Sequence, residues 1–258
     1  LLASATPSVN SFSYAKSGRY SLHTLSERYG NAVLPEVITV DMKEERKAGN
    51  RYNISSALLE LLEKNLKEKK QSVLLINRRG YNTFVACDSC GHVADCPYCS
   101  ISLTYHNANN RLMCHYCGYS KPFTKKCDEC GKDDMRYSGY GTQKIEEEIA
   151  ELLPEARVLR MDTDTTSSRH AFEKGLVDFG NGEYDIMLGT QMVAKGLNFE
   201  NVTVVGVINA DQQLNNDDYR SEEKTFDLIT QVVGRSGRGA YKGTAVIQTI
   251  TPENHIIQ

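Results

Sequence analysis

The cysteines constrain this chain more than any other feature, because all eight of them fall within residues 87–130. Two thiolates separated by two residues can bind one metal ion from a tight turn, and two such turns complete a tetrahedral set of four sulfurs. Eight sulfurs therefore predict two zinc ions, although the spacing does not fix which pair joins which. The four Cys-x-x-Cys pairs are Cys87 and Cys90, Cys96 and Cys99, Cys114 and Cys117, and Cys127 and Cys130.

Other uses of paired cysteines fit the sequence less well. Disulfides need an oxidising compartment, and the N-terminus has no charged stretch followed by an apolar signal segment. Redox chemistry needs one Cys-x-x-Cys pair rather than four. His92, His106 and His115 lie nearby as reserve ligands, but ordinary surface histidines are the favoured interpretation. Because so short a segment has little apolar material for a core, metal binding is expected to supply most of its folding free energy.

Outside the cysteine-rich segment, helical and strand patterns alternate from residue 55 onward. Residues 55–70 have leucines at helical spacing, and residues 73–76 form an apolar run typical of a parallel strand buried on both faces. This alternation predicts an α/β domain with a parallel sheet, in which the cysteine-rich segment is inserted after the first strand. Further helices are predicted at residues 144–153, 168–179 and 222–233, and further strands at 157–161, 185–188 and 202–208.

The N-terminal part of the chain has weaker patterns. Residues 1–3 and 18–25 are predicted as strands, and residues 26–50, with Pro35 and a charge run at 43–47, are interpreted as a linker. The chain begins on Leu1 rather than on Met, so we expect it to be a piece of a longer protein.

Charge and hydropathy exclude some classes of protein. A formal net charge of −3 and a pI of about 6.1 argue against a histone-like nucleic-acid binder, so any such contact must come from local basic patches. No apolar run approaches the length of a membrane span, and a cytoplasmic location is therefore expected.

A glycine-framed arginine pair follows the last predicted helix. Arg235 and Arg238 lie three residues apart, so they would share one side of a helical turn. Glycines allow the backbone to approach a ligand closely, and paired guanidinium groups stabilise charge on a transferring phosphoryl group. An isolated match this short would more often be an exposed basic turn. A second glycine-containing segment at residues 189–196, Gly-Thr-Gln-Met-Val-Ala-Lys-Gly, makes the functional interpretation stronger.

Two shorter motifs are also candidates for function. Ser4-Ala5-Thr6 precedes a predicted helix, where a plain capping turn is the alternative. Arg78 and Arg79 follow the strand at residues 73–76, and ligands of open α/β sheets gather at the carboxyl ends of strands. These arginines therefore predict a contact with phosphate or nucleic acid, with a solvated basic turn as the alternative.

In their order along the chain, these motifs resemble those of superfamily 2 helicases. Residues 4–6 are similar to motif III, residues 189–196 to motif V and residues 231–238 to motif VI. The four cysteine pairs between them narrow the resemblance to bacterial replication-restart DNA helicases. The resemblance implies the end of a first helicase lobe at residues 1–25, a linker at 26–50, a RecA-like second lobe at 51–85 and 132–258, and a zinc-binding insertion at 86–131.

The resemblance also implies cofactors, partners and residue roles. ATP with Mg²⁺, movement from 3′ to 5′ on single-stranded and forked DNA, primosome partners and a nucleoid-associated location are expected. One zinc ion would be bound by Cys87, Cys90, Cys127 and Cys130, and the other by Cys96, Cys99, Cys114 and Cys117. The implied roles are catalysis for Gln231, Arg235 and Arg238, nucleotide coupling for Ser4, Ala5, Thr6 and Gly196, and DNA binding for Arg78, Arg79, Thr190 and Lys195.

Two family motifs are absent from this sequence. It contains neither a Gly-x-x-x-x-Gly-Lys-Ser/Thr phosphate loop nor Asp-Glu-x-His, which hold the nucleotide phosphates and magnesium in the family. The chain by itself is therefore expected to be inactive as an ATPase. One alternative function is a zinc-ribbon interaction module on a scaffold lobe. Another is an RNA helicase of the same superfamily, because phosphate contacts without a 2′-hydroxyl reader do not distinguish RNA from DNA.

Overall fold

The structure is a computed structural model that describes residues 1–25, 34–76, 84–106, 109–138, 141–161, 169–190, 193, 199–215, 218–236 and 242–258. The strands in these residues are β1 (Glu36–Asp41), β2 (Gln71–Ile76), β3 (Phe84–Cys87), β4 (Thr104–His106), β5 (Arg111–Met113), β6 (Ser120–Pro122), β7 (Met135–Ser138), β8 (Val158–Met161), β9 (Ile186–Gly189), β10 (Val202–Ile208) and β11 (Thr244–Thr249). The helices are α1 (Val9–Lys16), α2 (Met42–Lys47), α3 (Ser56–Lys67), α4 (Thr142–Leu152), α5 (Arg169–Gly180), α6 (Asp211–Leu214) and α7 (Ser221–Val233).

Six strands form one sheet in the order β1-β11-β10-β2-β9-β8, and every neighbouring pair is parallel. All six residues of β2 are buried, because helices cover both faces of the sheet. On one face α3 and α4 pack through residues such as Leu58 and Ile149. On the other face α5 and α7 pack through residues such as Phe179 and Val232. This three-layer arrangement confirms the predicted α/β fold with a parallel sheet.

The other five strands form an antiparallel sheet in the order β6-β5-β4-β3-β7. This cysteine-rich unit lies between β2 and α4 along the chain. It therefore follows the strand predicted at residues 73–76 and precedes the helix predicted at 144–153, as expected, but β1 makes that strand the second of the parallel sheet rather than the first. Its outer pairing runs from Phe84 to Ser138, so the unit extends beyond the predicted bounds of 86–131.

The predicted linker at residues 26–50 contains regular structure in its second half. β1 pairs in register with β11 from Glu36 opposite Thr244 to Asp41 opposite Thr249, and the Asp41 side chain caps α2. As a half-exposed edge strand, β1 lacks the continuous apolar run of the inner strands, and the flanking Pro35 and charge run obscured it. The linker prediction is wrong for residues 36–47, whereas residues 26–33 lie outside the described residues.

The strands predicted at residues 1–3 and 18–25 are not formed. Residues 18–20 instead fold back on the end of α1, where the N–H of Arg19 donates to the C=O of Tyr14 at 2.9 Å. Gly18 has a φ of +78°, which breaks the extended conformation that a strand requires. None of the described helices is long and apolar enough to cross a membrane.

Candidate functional site

The cysteine sulfurs come together as two groups of four, and the sulfurs of each group lie within 4.8 Å of one another. This is the nested grouping that the family resemblance implied, and the sequential alternative is not formed. One group is Cys87, Cys90, Cys127 and Cys130, and the other is Cys96, Cys99, Cys114 and Cys117.

The distances between sulfurs fit a metal ion rather than a disulfide. The Sγ atoms of Cys87 and Cys130 are 3.7 Å apart, and those of Cys96 and Cys117 are 3.6 Å apart. A disulfide bond is about 2.05 Å long. Four sulfurs at about 2.3 Å from a tetrahedral zinc ion are about 3.8 Å from one another. All eight thiols are free, so the donor set and its spacing fit one zinc ion in each group.

Each Cys-x-x-Cys pair is held in the same kind of turn. The residue after the second cysteine donates its N–H to the C=O of the first, at 2.8 Å for Gly91, 3.0 Å for Ser100, 2.9 Å for Gly118 and 3.0 Å for Gly131. These four residues have φ values between +51° and +80°, which glycine adopts without strain. Three of the four turns have the sequence Cys-x-x-Cys-Gly. The glycine after the second cysteine therefore indicates the geometry of the turn, in addition to the spacing of the ligands.

The thiols of the first group differ in acidity. Burial raises the pKa of Cys87 to about 12, whereas the backbone N–H of Lys132 lowers the pKa of Cys130 to about 7. Zinc binds thiolates, so a metal ion must displace a proton from a thiol that burial otherwise keeps neutral. Binding at this group is therefore expected to release protons and to weaken as the pH falls.

The three histidines of the cysteine-rich unit belong to neither group in the part of the chain that the structure describes. The Nε2 atoms of His106 and His115 face each other at 3.1 Å, and the backbone C=O of His92 accepts from the N–H of Cys87 at 2.8 Å. The geometry supports the favoured interpretation that these histidines are not ligands of either group.

The two cysteine groups have different surroundings. The turn that contains Cys87 and Cys90 rests on the parallel-sheet lobe. A Cβ atom added at Gly91 would lie 3.1 Å from the C=O oxygen of Ile250 and 3.3 Å from Cδ of Lys43 in α2. In the second group Tyr98 and Tyr116, one inside each Cys-x-x-Cys turn, are 77% and 84% exposed. The first group is thus joined to the lobe, and the second presents aromatic side chains to solvent.

Helix α7 leads into the predicted arginine element. After the helix the chain continues as a tighter turn, in which the N–H of Arg235 donates to the C=O of Val232 at 2.9 Å. Arg235 is half-buried and borders an apolar recess that is lined by Val73, Val193, Phe199 and Val202. Arg238 lies outside the described residues, so its placement beside Arg235 stays a prediction.

The predicted coupling segment at residues 4–6 contacts α7 directly. Thr6 is buried, and its hydroxyl accepts a hydrogen bond from Nε2 of Gln231 at 3.1 Å. Ser4 closes the turn locally, because its Oγ donates to the C=O of Thr6 at 2.9 Å. Ala5 is exposed. The structure therefore brings together Thr6 and Gln231, which belong to motifs 225 residues apart.

Sequence reasoning did not single out two residues of α7 that also meet this N-terminal segment. Oε1 of Glu223 accepts from the N–H of Val9 at 2.7 Å, and burial raises the pKa of Asp227 against the opposing effect of the Thr6 hydroxyl. Both precede Gln231 by multiples of four residues, which places all three on one helical face. This four-residue spacing is the sequence pattern that could have identified the two residues.

Only part of the predicted motif V lies within the described residues. A Cβ atom at Gly189 would lie 2.6 Å from the C=O oxygen of Met161 and 2.5 Å from Cγ1 of Val193, so only glycine fits at the end of β9. The C=O of Thr190 accepts from the N–H of Val193 at 3.0 Å, which turns the chain after the strand. The predicted site residues outside the described part of the chain are Arg78, Arg79, Lys195, Gly196 and Arg238.

Two family models match parts of the chain. Residues 136–240 match the helicase conserved C-terminal domain, and residues 96–122 match the Cys-rich region of the PriA DNA helicase. The first match includes the part of the parallel-sheet lobe from α4 to α7, and the second includes all four cysteines of the second group.

Several relatives match the chain from end to end. The replication restart protein PriA of Bacillus subtilis (strain 168) is 51% identical over 258 residues, which are 100% of this chain and 32% of that protein. The protein of the same name from Synechocystis sp. is 42% identical over 266 residues, with 100% and 32% of the two chains covered. That of Borreliella burgdorferi is 36% identical over 258 residues, with 100% and 38% covered. The chain matches PriA along its whole length and spans about a third of the relatives it matches.

Proposed function

We propose that this chain is the C-terminal motor half of an ATP-dependent DNA helicase that acts in replication restart. The observation that carries the proposal is the combination of a helicase-type lobe with a PriA-type insertion whose eight thiols form two metal-sized groups. The proposal includes ATP with Mg²⁺, movement from 3′ to 5′ on single-stranded and forked DNA, primosome partners and a cytoplasmic, nucleoid-associated location in a bacterium.

In this proposal the arginine element acts on a nucleotide that is held mainly by another lobe. Arg235 and Arg238 contact the γ-phosphate and stabilise the charge that develops during phosphoryl transfer. Gln231, one helical turn before Arg235, lies next to Thr6 and links the element to the coupling segment that Ser4, Ala5 and Thr6 form with Gly196.

DNA binding in this proposal goes through phosphates rather than bases. Thr190 follows β9 at the carboxyl edge of the parallel sheet, where Lys195, Arg78 and Arg79 also follow strands in the sequence. Contacts from such residues hold the strand without reading its sequence, which suits a motor that moves along any DNA.

The role of Arg235 is tested in the full-length protein by Arg235→Ala and Arg235→Lys. Loss of a transition-state arginine is expected to lower ATP turnover by about 10³-fold, because this contact supplies charge stabilisation that lysine does not reproduce. Binding to a synthetic fork should change little, and Arg157→Ala, an exposed arginine at the edge of the sheet, is the matched control. An equal loss of turnover and fork binding in Arg235→Ala would instead indicate a structural role.

We also propose one zinc ion in each cysteine group, and double substitutions distinguish this grouping from a sequential one. Cys87→Ser with Cys127→Ser removes ligands from one group, so one zinc ion per chain should remain. Cys87→Ser with Cys96→Ser removes a ligand from each group and should lower the bound zinc to none. Metal analysis of the purified proteins gives the answer, and the reverse pattern would contradict the nested grouping.

The chain alone, loaded with zinc, is proposed to hydrolyse ATP negligibly, since its sequence lacks the phosphate loop. A turnover assay with and without single-stranded DNA tests this directly. Robust hydrolysis by the isolated chain would overturn the view that another lobe holds most of the nucleotide.

A second candidate function is protein interaction through the cysteine-rich unit, and the exposed Tyr98 and Tyr116 favour it. Aromatic side chains are enriched where proteins bind one another. Tyr98→Ser with Tyr116→Ser in the full-length protein should then reduce co-assembly with the replication proteins of the same bacterium on a synthetic fork, while ATP turnover is retained. Loss of turnover with intact co-assembly would assign the unit to the motor instead.

A further inference from the structure

Two histidines of the cysteine-rich unit face each other outside both groups of cysteines. His106 is the last residue of β4, and His115 lies inside the Cys-x-x-Cys turn of Cys114 and Cys117. Their Nε2 atoms are 3.1 Å apart, and the centres of their rings are 5.0 Å apart. The two rings therefore present a pair of metal-binding nitrogens that neither four-sulfur group uses.

The framework of the cysteine-rich unit holds both rings in place. His106 is paired with Arg111 across the hairpin of β4 and β5. The turn that contains His115 is closed by the N–H of Gly118, which donates to the C=O of Cys114 at 2.9 Å. Because backbone hydrogen bonds fix both attachment points, little further conformational entropy is lost when the two rings bind one ligand.

The distance between the two nitrogens suits a shared metal ion. Zinc binds imidazole nitrogen at about 2.0–2.1 Å, so two nitrogens 3.1 Å apart would subtend an angle of about 98° at the ion. That angle lies between the octahedral value of about 90° and the tetrahedral value of about 109°. Rings that converge on one ion at this angle have centres about 4.8 Å apart, whereas rings that point straight at each other have centres about 5.4 Å apart. The observed 5.0 Å is closer to the convergent arrangement.

The surroundings of the pair leave room for an ion and for water. His115 is exposed, and His106 is half-buried. The guanidinium of Arg111 binds β6 instead, since its Nε donates to Oγ of Ser120 at 2.6 Å and its Nη2 donates to the C=O of Ser120 at 3.1 Å. Among the residues that the structure describes, no cysteine, carboxylate or third histidine joins the pair. The remaining coordination positions of an ion held here are therefore open to water.

We propose that His106 and His115 form a third metal site, which takes one divalent transition-metal ion of the kind that prefers imidazole, such as Zn²⁺, Ni²⁺ or Cu²⁺. Without an ion, the two nitrogens form a hydrogen bond only if one ring donates its N–H and the other accepts. An ion uses the lone pairs of both nitrogens and joins the end of β4 to the turn of the second cysteine group.

This third ion is held less tightly than the ions of the cysteine groups. Two neutral imidazoles supply fewer bonds and less negative charge than four thiolates. The ion at the histidine pair therefore exchanges with solution and is removed by dialysis, whereas the cysteine groups keep their metal. The site is separate from the proposed motor function and does not depend on it.

Nickel is a suitable probe, because imidazole binds Ni²⁺ well and soft thiolates favour zinc. The zinc-loaded chain, without a histidine tag, is brought to equilibrium with Ni²⁺ by dialysis, and both metals are counted. Wild type should hold one saturable nickel ion in addition to two zinc ions. His106→Ala and His115→Ala should each lose the nickel ion and keep both zinc ions. The control is His255→Ala, an exposed histidine beside Glu222, which should still bind nickel.

The two variants differ in their distance from the cysteines. His115 lies between two zinc ligands, so His115→Ala could disturb the turn itself. His106 lies outside all four Cys-x-x-Cys turns, and His106→Ala with a wild-type zinc content decides the question by itself.

Hydrogen exchange shows where the nickel ion binds. An ion that binds only the closed form of this hairpin slows its opening by the factor by which binding stabilises that form. At a free nickel concentration about ten times Kd, exchange in peptides that cover residues 104–117 should slow about tenfold. Peptides of the six-stranded sheet should not change, and His106→Ala should abolish the effect of nickel.

Three results would overturn the proposal. Absence of saturable nickel binding to the zinc-loaded chain would show that the facing rings form only a hydrogen bond. Nickel that is retained by His106→Ala, or lost equally from His255→Ala, would place the ion elsewhere. Nickel that enters while the zinc count falls would show that it occupies the cysteine groups. A full-length protein that hydrolyses no ATP would contradict the proposed function and leave these metal counts unchanged.

Discussion

In the parallel-sheet lobe the six residues of β2 are all buried between two apolar clusters, whereas the strands of the cysteine-rich sheet are only three or four residues long. Cysteines make up four of the nine buried residues that form the core of the smaller unit. The lobe therefore has an apolar core large enough to fold by itself, and the smaller unit has a core made largely of potential metal ligands.

This difference in core composition implies that the two units of one chain can respond separately to the same solution conditions. Apolar burial stabilises the lobe in proportion to the area removed from water, and it does not depend on a metal. Thiolate coordination stabilises the cysteine-rich unit only while a metal is bound. The cysteine-rich unit approaches the lobe at Gly91, which packs close to Lys43 and Ile250.

The largest effect is expected from removal of the metal. A strong chelator should unfold residues 84–138 while the six-stranded sheet keeps its structure, because only the smaller unit depends on coordination. Hydrogen exchange should become fast in β3 to β7 and stay slow in β2 and β10, and added zinc should restore protection. Slow exchange throughout the chelated chain would show that the cysteine-rich unit has a sufficient core of its own.

A substitution in the lobe tests whether the stability of the lobe can change without a change in metal binding. Leu58→Ala leaves a cavity between α3 and the sheet, where Leu58 is fully buried, and should lower the free energy of unfolding of the lobe by about 2–5 kcal/mol. Zinc content should stay at the wild-type value. The control is Leu22→Ala, which removes a half-exposed side chain. A large loss of zinc in Leu58→Ala, with the lobe still folded, would break the separation between the two units.

A smaller effect is expected from Gly189→Ala. The added methyl group would approach a backbone oxygen of Met161 at 2.6 Å and Val193 at 2.5 Å, and backbone cannot rotate away as a side chain can. Overpacking of this kind costs about 1–3 kcal/mol. Gly180→Ala, whose methyl group would meet only the ring of Phe199 at 3.4 Å, is the matched control. Denaturant unfolding measures the free energy of unfolding of both variants. Equal stabilities of Gly189→Ala and Gly180→Ala would contradict the close approach of Met161 and Val193 to Gly189.

The smallest effect is expected from the ion pair of Arg157 and Asp185 at the edge of the sheet. Hydrogen bonds from Arg157, with partial burial acting against them, hold the pKa of Asp185 below its usual value. A lowered carboxyl pKa adds stability above the unfolded pKa of about 4, and that stability is lost as the pH falls through the folded value. Wild type should lose slightly more stability than Asp185→Asn when the pH is lowered below about 4. Solvent exposure keeps the difference small, and a reversed sign would contradict the assignment.

The sequence by itself determined the features that are encoded locally. Ligand spacing in the cysteine pairs predicted two four-sulfur sites, and the apolar run at residues 73–76 predicted a strand buried on both faces. Helical spacing of leucines predicted α3. Each of these signals depends on residues within one or two turns of one another, so no knowledge of distant pairing was needed.

Only the tertiary structure decided which distant segments meet. Pairing of β3 with β7 brings Cys87 next to the turn of Cys127 and Cys130, and the hairpin of β4 and β5 brings the two inner cysteine pairs together. β1 exists because β11 offers it a parallel edge, and Thr6 reaches α7 from the other end of the chain. Contacts of this kind depend on which strands become neighbours, and that choice is made by the packing of the whole core rather than by any local pattern.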